Sequence, residues 1–253
     1  MFEIGIPSFN RPKIIDYTLD LLKYYKIDKK IITIFLEDET QLELYSNHDY
    51  KKIITHTKGY GNKMEYIKNH YDNNTNLVII DDDIEQLLEM IDKKTGKQLE
   101  NLTDFLENAF SLLREKKYFM FGIYPVNNYF FMKKETTEDL KFCCGGFMGY
   151  IVRKNDEKLR WDEYEIKSDY VWTIQHYLKD GGLLRFNHIT IKTKTYLKRG
   201  GCFSMYGDRM KISEKVSDEI QKRFPKYVSK RIRKNGMWEI RLKGGRKKKI
   251  IIE

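Results

Sequence analysis

The sequence lacks the features that mark secreted and membrane-spanning proteins. Its 253 residues contain no continuous apolar run long enough to cross a bilayer. The segment from Met1 to Pro7 lacks the basic flank and the long apolar centre of a secretory signal, and we expect it to form the first strand. We therefore predict no integral membrane segment and a cytoplasmic location.

Cysteine is scarce, and its spacing is uninformative for metal or disulfide chemistry. The three cysteines, Cys143, Cys144 and Cys202, match neither metal-ligand spacing nor a disulfide framework. Unpaired cysteines are usual in a reducing interior. We expect Cys143 and Cys144 to be core residues of a strand rather than redox groups.

Positive charge is concentrated at the C-terminal end. The chain has a formal net charge of +10. Residues 222–253 hold thirteen Lys or Arg against Glu239 and Glu253, a net +11, which leaves −1 for the rest. This asymmetry predicts a polyanion or an anionic membrane surface as partner, with a solvated tail as the alternative. We accordingly divide the chain into one large domain, 1–215, and a basic C-terminal segment, 216–253.

Strand-like and helix-like segments alternate along the first half of the chain. Such a rhythm predicts an α/β fold with a mostly parallel sheet that is covered by helices on both faces. The second half is more mixed, and no internal repeat is present. The predicted strands are 2–7, 31–36, 52–55, 77–80, 118–124, 142–152 and 184–192, and the predicted helices are 12–22, 41–45, 63–71, 102–116 and 169–178.

Three consecutive aspartates, Asp81, Asp82 and Asp83, directly follow the apolar run Leu77–Ile80. They should lie at the carboxyl edge of a strand, where open α/β sheets bind ligands. Adjacent carboxylates raise one another's pKa unless a cation shares them, and their oxygens suit Mg²⁺ or Mn²⁺. One interpretation is therefore a metal site. The other is an acidic N-cap on a helix that begins near Ile84.

The turn after the first strand carries polar residues toward the same edge. Ser8 and Asn10 are suited to capping the next helix, and Arg11 is suited to pairing with a phosphate. Glu37 follows the second strand, so it should open on this edge together with the aspartates. A nucleotide needs base partners and cation help for its diphosphate, and this edge offers both.

These segments resemble a known family. The run Ile6–Pro12 together with Ile79–Asp83 resembles the nucleotide-sugar half of the GT-A-fold glycosyltransferases, in which a DxD motif holds a divalent metal on the diphosphate. Gly59–Lys63 resembles the glycine loop near the base, and Gly145–Gly149 resembles the acceptor-side glycine segment. The matches span residues 1 to about 190. The resemblance implies a GT-A-like, Rossmann-type mixed sheet flanked by helices, a UDP-sugar donor, and Mn²⁺ or Mg²⁺.

The resemblance also implies roles for individual residues. Asp83 would be the direct metal ligand, Asp81 would lie near the metal and the ribose or donor sugar, and Asp82 would act indirectly or cap a helix. His188 would be a further metal ligand, although a lone strand histidine is more often a packed residue. The implied nucleotide pocket consists of Pro7, Ser8, Arg11, Glu37 and Lys63, with a solvated helix face as the alternative for Arg11 and Lys63.

The region from Trp161 to Gln175 resembles the segment that supplies the catalytic base in inverting members. The family often has Glu-Asp where this chain has Ser168-Asp169, so Asp169 is the candidate base. Glu163 and Glu165 are substitutes, and an N-cap role for Asp169 is the alternative. The segment Lys198–Gly201 has the charge and glycines of a mobile lid over the diphosphate.

The second half is similar to phage glycosyltransferases associated with TET and J-binding proteins, which act on hydroxymethylpyrimidines in DNA; the pattern from Asp162 to Gln175 carries this similarity. Basic residues neutralise phosphates, and Phe224, Tyr227 and Trp238 among them could stack on bases. The first hypothesis is a hexosyltransferase on double-stranded DNA with modified bases, located in the host cytoplasm if phage-encoded. The alternatives are a glycan or lipid acceptor, and a nuclease-like metal-dependent protein that binds nucleic acid.

Overall fold

A central mixed sheet with helices on both faces organises the protein. The computed structural model describes residues 1–161, 164, 166–194, 209–244 and 249–251. Eleven strands form the sheet, and two more form a separate hairpin. The strands are β1 (Glu3–Pro7), β2 (Ile32–Leu36), β3 (Lys51–Ile54), β4 (Asn76–Ile80), β5 (Ile84–Met90), β6 (Gly96–Gln98), β7 (Met120–Tyr124), β8 (Glu135–Thr137), β9 (Phe147–Ile151), β10 (Leu184–Thr193), β11 (Val228–Ile232), β12 (Trp238–Leu242) and β13 (Lys249–Ile251). The helices are α1 (Ile15–Tyr24), α2 (Thr40–Leu44), α3 (Tyr60–His70), α4 (Leu102–Lys116), α5 (Ser168–Asp180) and α6 (Arg209–Arg223).

Four parallel strands in the order β3-β2-β1-β4 bring their carboxyl ends to one edge. The next strand, β9, is antiparallel to β4 and pairs Phe147 with Ile80. The residues just before β9 therefore lie at the same edge as the residues just after β4. The expected α/β sheet is confirmed, and this edge collects the polar turns that the sequence singled out.

Alternation along the strands builds two cores. Ile4 and Ile80 belong to the cluster that also contains the buried faces of α1 and α4. Leu77 and Ile79 point to the other side, into a cluster with residues of α3 and α5. All four side chains are completely or almost completely buried. Strands covered on both faces read as continuous apolar runs, which explains the composition of β2 and β4.

The C-terminal part packs against α5. Within this part, β11 and β12 form an antiparallel hairpin. A third cluster joins the hairpin and α6 to α5, and its buried members are Leu140, Val171, Ile174, Val216, Ile220, Phe224, Val228 and Ile240. Strand β13 pairs with β8 of the main sheet. The predicted boundary between 215 and 216 falls inside α6, and the division into domains stays a prediction.

Three local predictions were wrong. Residues 84–90 form strand β5, paired with β10, so no helix follows the aspartates and none of them is an N-cap there. The strand predicted over 142–152 begins only at Phe147, which leaves Cys143 and Cys144 in the preceding loop. Helix α3 begins at Tyr60, three residues before Lys63, because the turn ends at Gly59 with its left-handed φ of +91°. In each case tertiary pairing or backbone geometry outweighed the local pattern.

No helix within the described ranges has the length and apolar character needed to span a membrane.

The contact between β7 and β9 depends on the absence of a side chain at Gly149. A Cβ at this position would lie 2.2 Å from a ring carbon of buried Phe121. We expect Gly149→Ala to lower the free energy of unfolding by about 1–3 kcal/mol, since overpacking forces the ring or the strand to move. Urea denaturation measures this loss. The control is Gly5→Ala, whose Cβ would meet no atom closer than 3.3 Å, and equal stability of the two variants would contradict the packing argument.

Candidate active site

Asp82 joins the turn after β1 to the end of β4. Its Oδ2 accepts a hydrogen bond of 2.5 Å from Ser8 Oγ, and its Oδ1 accepts one of 3.1 Å from Arg11 Nη1. Arg11 Nη1 also reaches Asp83 Oδ2 at 3.4 Å. The Tyr45 hydroxyl lies 2.6 Å from Ser8 Oγ and accepts the backbone N–H of Arg11. The turn and the aspartates are thus brought together, with Asp82 as the anchor.

Burial and ion pairing have opposite effects on the pKa values in this network. Burial raises the pKa of Asp82 to about 6, although the charge of Arg11 and the hydrogen bond from Ser8 act to lower it. Burial disfavours the Arg11 cation as well, but the neighbouring carboxylates of Asp82, Asp83 and Asp81 outweigh this and raise the Arg11 pKa. Arg11 therefore remains a cation, and the alternative of a solvated helix face is wrong for this residue.

Asp81 is held through its backbone. Its carbonyl accepts the Thr18 hydroxyl at 2.8 Å, and its N–H donates to the Gly146 carbonyl at 2.9 Å. Its carboxyl group accepts no hydrogen bond from the described residues. Burial, followed by the charges of Asp83 and Asp82, holds the Asp81 pKa well above its usual value. A Cβ at Gly146 would lie 3.4 Å from Asp81 Oδ2, so the glycine leaves space beside this carboxylate.

The donor set suits a metal ion that is shared with phosphates. Asp82 uses its two oxygens on Ser8 and Arg11, so Asp81 and Asp83 remain the candidate ligands. Among the residues that the structure describes, no group of three or more His, Cys, Asp or Glu is arranged to hold a metal by itself. Mg²⁺ is commonly held by one or two carboxylates together with water and substrate phosphates. The uncompensated negative charge around Asp81 fits such an ion.

Asp169 lies on the opposite side of this edge, in the first turn of α5. Its Oδ2 accepts the backbone N–H of Gly145 at 3.3 Å, and its Oδ1 accepts that of Tyr170 at 3.0 Å. Burial raises its pKa to about 6. Its charge in turn contributes to the raised pKa of Asp81. Lys167, not Asp169, occupies the N-cap position of α5, without a capping hydrogen bond from its side chain, so the N-cap alternative is wrong for Asp169.

The remaining nucleotide-pocket candidates gather around Ser8. Lys63 is 3% exposed, and its Nζ donates to the Ser8 carbonyl at 2.7 Å, so it is no solvated residue either. Pro7 ends β1 opposite Phe35 of β2. Glu37 follows β2 and is buried, and its Oε2 has no hydrogen-bond partner among the residues described. These side chains share the edge, and Lys63 supports the turn rather than facing outward.

His188 is not brought to the aspartates. It precedes Lys194 by six residues, and the N–H of Lys194 donates to the Asp83 carbonyl at 3.1 Å. Six residues of extended strand span about 20 Å. The His188 ring packs near Phe186 and is largely buried, as expected for the packed alternative. The other candidates, Glu163, Glu165 and the lid at Lys198–Gly201, lie outside the described residues.

Two residues of the network were missed from the sequence. Thr18 hydrogen-bonds to Asp81 and accepts the N–H of Ile84 from the buried face of α1. A polar residue between the apolar positions of a helix is a signal that could have identified it. Tyr45 lies 37 residues from Ser8, and no pattern in the sequence connects the two.

Comparisons with solved structures agree with this architecture. The crystal structure of S. aureus TarS 1–349 aligns with a TM-score of 0.53 and 16% identity over 87% of this chain and 65% of that one. A mycobacterial protein aligns with a TM-score of 0.51 and 8% identity over 96% of this chain and 83% of that one. A Desulfovibrio desulfuricans protein described as a nucleotide-diphospho-sugar transferase gives a TM-score of 0.38 at 11% identity over 73% and 80%, too low to infer a shared fold. No protein-family model and no curated protein matches.

At these identities the likeness shows the fold alone. The expected GT-A-like sheet flanked by helices is confirmed by the architecture and by the alignment with TarS 1–349. This chain spans less than two thirds of that fragment, 65% of it.

The anchoring role of Asp82 predicts unequal effects within the aspartate run. We expect Asp82→Ala to cost about 3–5 kcal/mol of unfolding free energy, because Arg11 and Ser8 lose a buried partner. Asp83→Ala should cost less than about 1 kcal/mol, since it leaves both contacts of Asp82 in place. Urea denaturation without added metal compares the two. Equal losses would mean that Asp82 is not the anchor.

Proposed function

We propose that the protein is a metal-dependent glycosyltransferase that moves a sugar from a UDP-sugar to a hydroxyl group. The proposal rests on the different hydrogen-bond partners of the carboxylates at one edge of the sheet. Asp82 is occupied by Ser8 and Arg11, whereas the carboxyl of Asp81 has no such partner in the described part of the chain. Asp169 lies near enough to raise the Asp81 pKa. A diphosphate site and a base are therefore adjacent.

On the donor side, the residues around Ser8 bind and orient the nucleotide. Lys63 holds the Ser8 carbonyl and Asp82 holds the Ser8 hydroxyl, which makes a rigid floor for the nucleoside. The carboxylate of Glu37 lies at the same edge and suits the hydroxyls or N–H groups of a nucleoside. Asp81 and Asp83 would hold Mg²⁺ or Mn²⁺, which when bound neutralises the charge gathering on the departing diphosphate.

On the acceptor side, Asp169 removes a proton. The N–H groups of Gly145 and Tyr170 fix its two oxygens, so the carboxylate is oriented before the acceptor arrives. Its raised pKa, about 6, makes it a stronger base than an ordinary aspartate while it remains ionised at neutral pH. The proton of the acceptor hydroxyl passes to Asp169 as the oxygen attacks the anomeric carbon and the bond to the diphosphate breaks.

We further propose a hydroxymethylpyrimidine of DNA as the acceptor and a hexose as the sugar. The basic hairpin of β11 and β12 supports this acceptor by its position. Glu239 of the hairpin and Asp169 both raise the pKa of Tyr170, so the hairpin lies beside the candidate base. Lys and Arg side chains at this place suit a phosphate backbone. A glycan or lipid acceptor is the competing candidate.

The test is sugar transfer followed by mass spectrometry. A panel of UDP-sugars is incubated with Mn²⁺ and DNA containing hydroxymethylated pyrimidines. We expect one UDP-sugar to add a hexose to the DNA, and Asp83→Ala to abolish both transfer and metal-dependent hydrolysis of the donor. The matched control is Asp72→Ala, which removes an exposed carboxylate that precedes β4, at the end of this strand opposite to the aspartates.

Each contrary result has a distinct meaning. Transfer to a glycan but to no DNA would show that the protein is a glycosyltransferase whose acceptor is a glycan. DNA cleavage without hydrolysis of any UDP-sugar would favour the nuclease-like alternative. Full activity of Asp83→Ala would remove Asp83 from the metal site.

The role of Asp169 predicts a pH dependence. Because a base must be ionised, single-turnover transfer should decline as the pH falls through about 6, in proportion to the ionised fraction of Asp169. Asp169→Asn keeps the shape and should lower the rate about 100-fold or more. UDP binding by the variant, measured by calorimetry, should stay unchanged. An unaltered pH profile and rate in Asp169→Asn would exclude this residue as the base.

A further inference from the structure

A second cavity, distinct from the aspartate edge, lies where the C-terminal hairpin meets the main domain. Its volume is about 430 Å³. Lys141 and Phe142 line it from the loop after β8, Arg185 from β10, and Ser229 and Arg241 from the two strands of the hairpin. Three cations and a hydroxyl from separate parts of the chain therefore converge on one space.

The positive charge of this cavity is only partly balanced. Lys141 pairs with Asp139 at 3.2 Å. Arg185 donates to the Asn187 side chain at 2.6 Å and to the Phe142 carbonyl at 3.5 Å, which are neutral acceptors. Neither Arg185 nor Arg241 forms an ion pair with any carboxylate in the described ranges. Burial lowers the pKa of Arg185, while the nearby carboxylates of Asp139 and Glu135 act to raise it without pairing directly with the guanidinium. Such a site favours an anion.

The cavity is close to the candidate base. The Phe142 ring stacks on Tyr170 with centroids 3.9 Å apart and planes at 15°. Tyr170 follows Asp169, and its N–H donates to the Asp169 carboxylate. One aromatic pair thus separates the cavity from the residue that would accept the proton.

The hairpin wall of the cavity is fixed relative to α5. Lys167, at the start of α5, donates to Ser213 Oγ at 2.5 Å and to Ser217 Oγ at 2.7 Å on α6. Ser213 Oγ in turn donates to the Trp238 carbonyl of β12 at 2.9 Å. This chain of hydrogen bonds, together with the third apolar cluster, sets the distance between the hairpin and Asp169.

We propose that this cavity binds one phosphodiester group of a nucleic-acid acceptor strand and so places a neighbouring nucleotide at Asp169. The inference rests on the proposed glycosyltransferase function, whose acceptor side it specifies. Lys141, Arg185 and Arg241 contact the phosphate oxygens. Ser229 supplies a hydroxyl donor, and the exposed side of Phe142 offers a face for a base, which a phosphate polymer without bases does not need.

The experiment measures binding of a fluorescein-labelled single-stranded oligonucleotide by anisotropy, with no metal and no UDP-sugar. The test variant is Lys141→Ala with Arg241→Ala, and the matched control is Lys226→Ala with Lys234→Ala. Both pairs remove two positive charges, and the control pair is exposed and lies outside the cavity. Circular dichroism melting checks that both variants fold.

We expect the test pair to weaken binding about tenfold or more, and to reduce the slope of log K against log salt by about 0.7, the value for one lost phosphate contact on a single strand. The control pair should change the affinity less than about threefold. Equal losses of affinity in the test and control pairs would overturn the assignment of the cavity as the binding site and would indicate general electrostatic attraction instead. Competition by inorganic polyphosphate as strong as that by unlabelled oligonucleotide would overturn the nucleic-acid assignment.

This result is separable from the enzyme proposal. Hydrolysis of UDP-sugars by the wild-type protein tests the donor site, whereas the anisotropy measurement involves neither donor nor metal. If the wild-type protein hydrolyses no UDP-sugar while the test pair still loses oligonucleotide binding, the proposed glycosyltransferase function is wrong but the cavity remains the oligonucleotide site. If hydrolysis succeeds and the test pair binds like wild type, the cavity assignment is wrong.

Discussion

The buried carboxylate of Asp82 is the interaction on which the candidate site depends. It fixes Ser8 and Arg11 from the end of β1 against the residues after β4, two strands that are adjacent and parallel. A lone buried carboxylate would be costly, and the Arg11 cation together with the Ser8 hydroxyl offsets this cost. Because Asp82 uses both of its oxygens in this way, its neighbours in the sequence are left for other partners. Hydrogen bonding, not sequence order, therefore distinguishes Asp82 from its two neighbours in the aspartate run.

Among the residues that the structure describes, the same edge carries more negative charge than the Arg11 guanidinium can balance. Asp81, Asp83 and Asp169 add to Asp82 around Arg11. Burial raises the pKa of both Asp81 and Asp169, and the charges of the neighbouring aspartates raise that of Asp81 further. In an enzyme this imbalance has a use, since a divalent cation satisfies the carboxylates on one side while the carboxylate on the other side stays basic. The two sides are held by different elements, β4 and α5, joined through the backbone of the glycines before β9. The cluster of like charges thus marks the place where a substrate would bind.

Much of this arrangement could be predicted from the sequence, and the failures have physical causes. The parallel strands were predictable because strands buried on both faces are apolar throughout, and the rule that carboxyl ends share an edge brought Ser8, Glu37 and the aspartates together. The stretch after Asp83 was mistaken for a possible helix because its spacing fits both periods, and pairing with β10 decides between them. The family resemblance placed His188 at the metal because of its position along the sequence. Sequence position alone does not reveal that His188 lies about 20 Å along the strand from the aspartate end. Tyr45 could not be found, since its contact with Ser8 is purely tertiary.

The packing of the C-terminal basic segment changes the interpretation of its charge. As a sequence it looks like an appendage, and a solvated tail would explain its charge equally well. However, its apolar residues enter a cluster with α5, and Lys167 bonds it to the start of the helix that carries Asp169. A tail that only keeps the protein soluble needs no such attachment, and burying Lys167 against two serines is unfavourable for the cation, whose pKa falls to about 8. The charge at the hairpin is therefore held at a fixed distance from the candidate base, which an unattached solvated tail would not achieve.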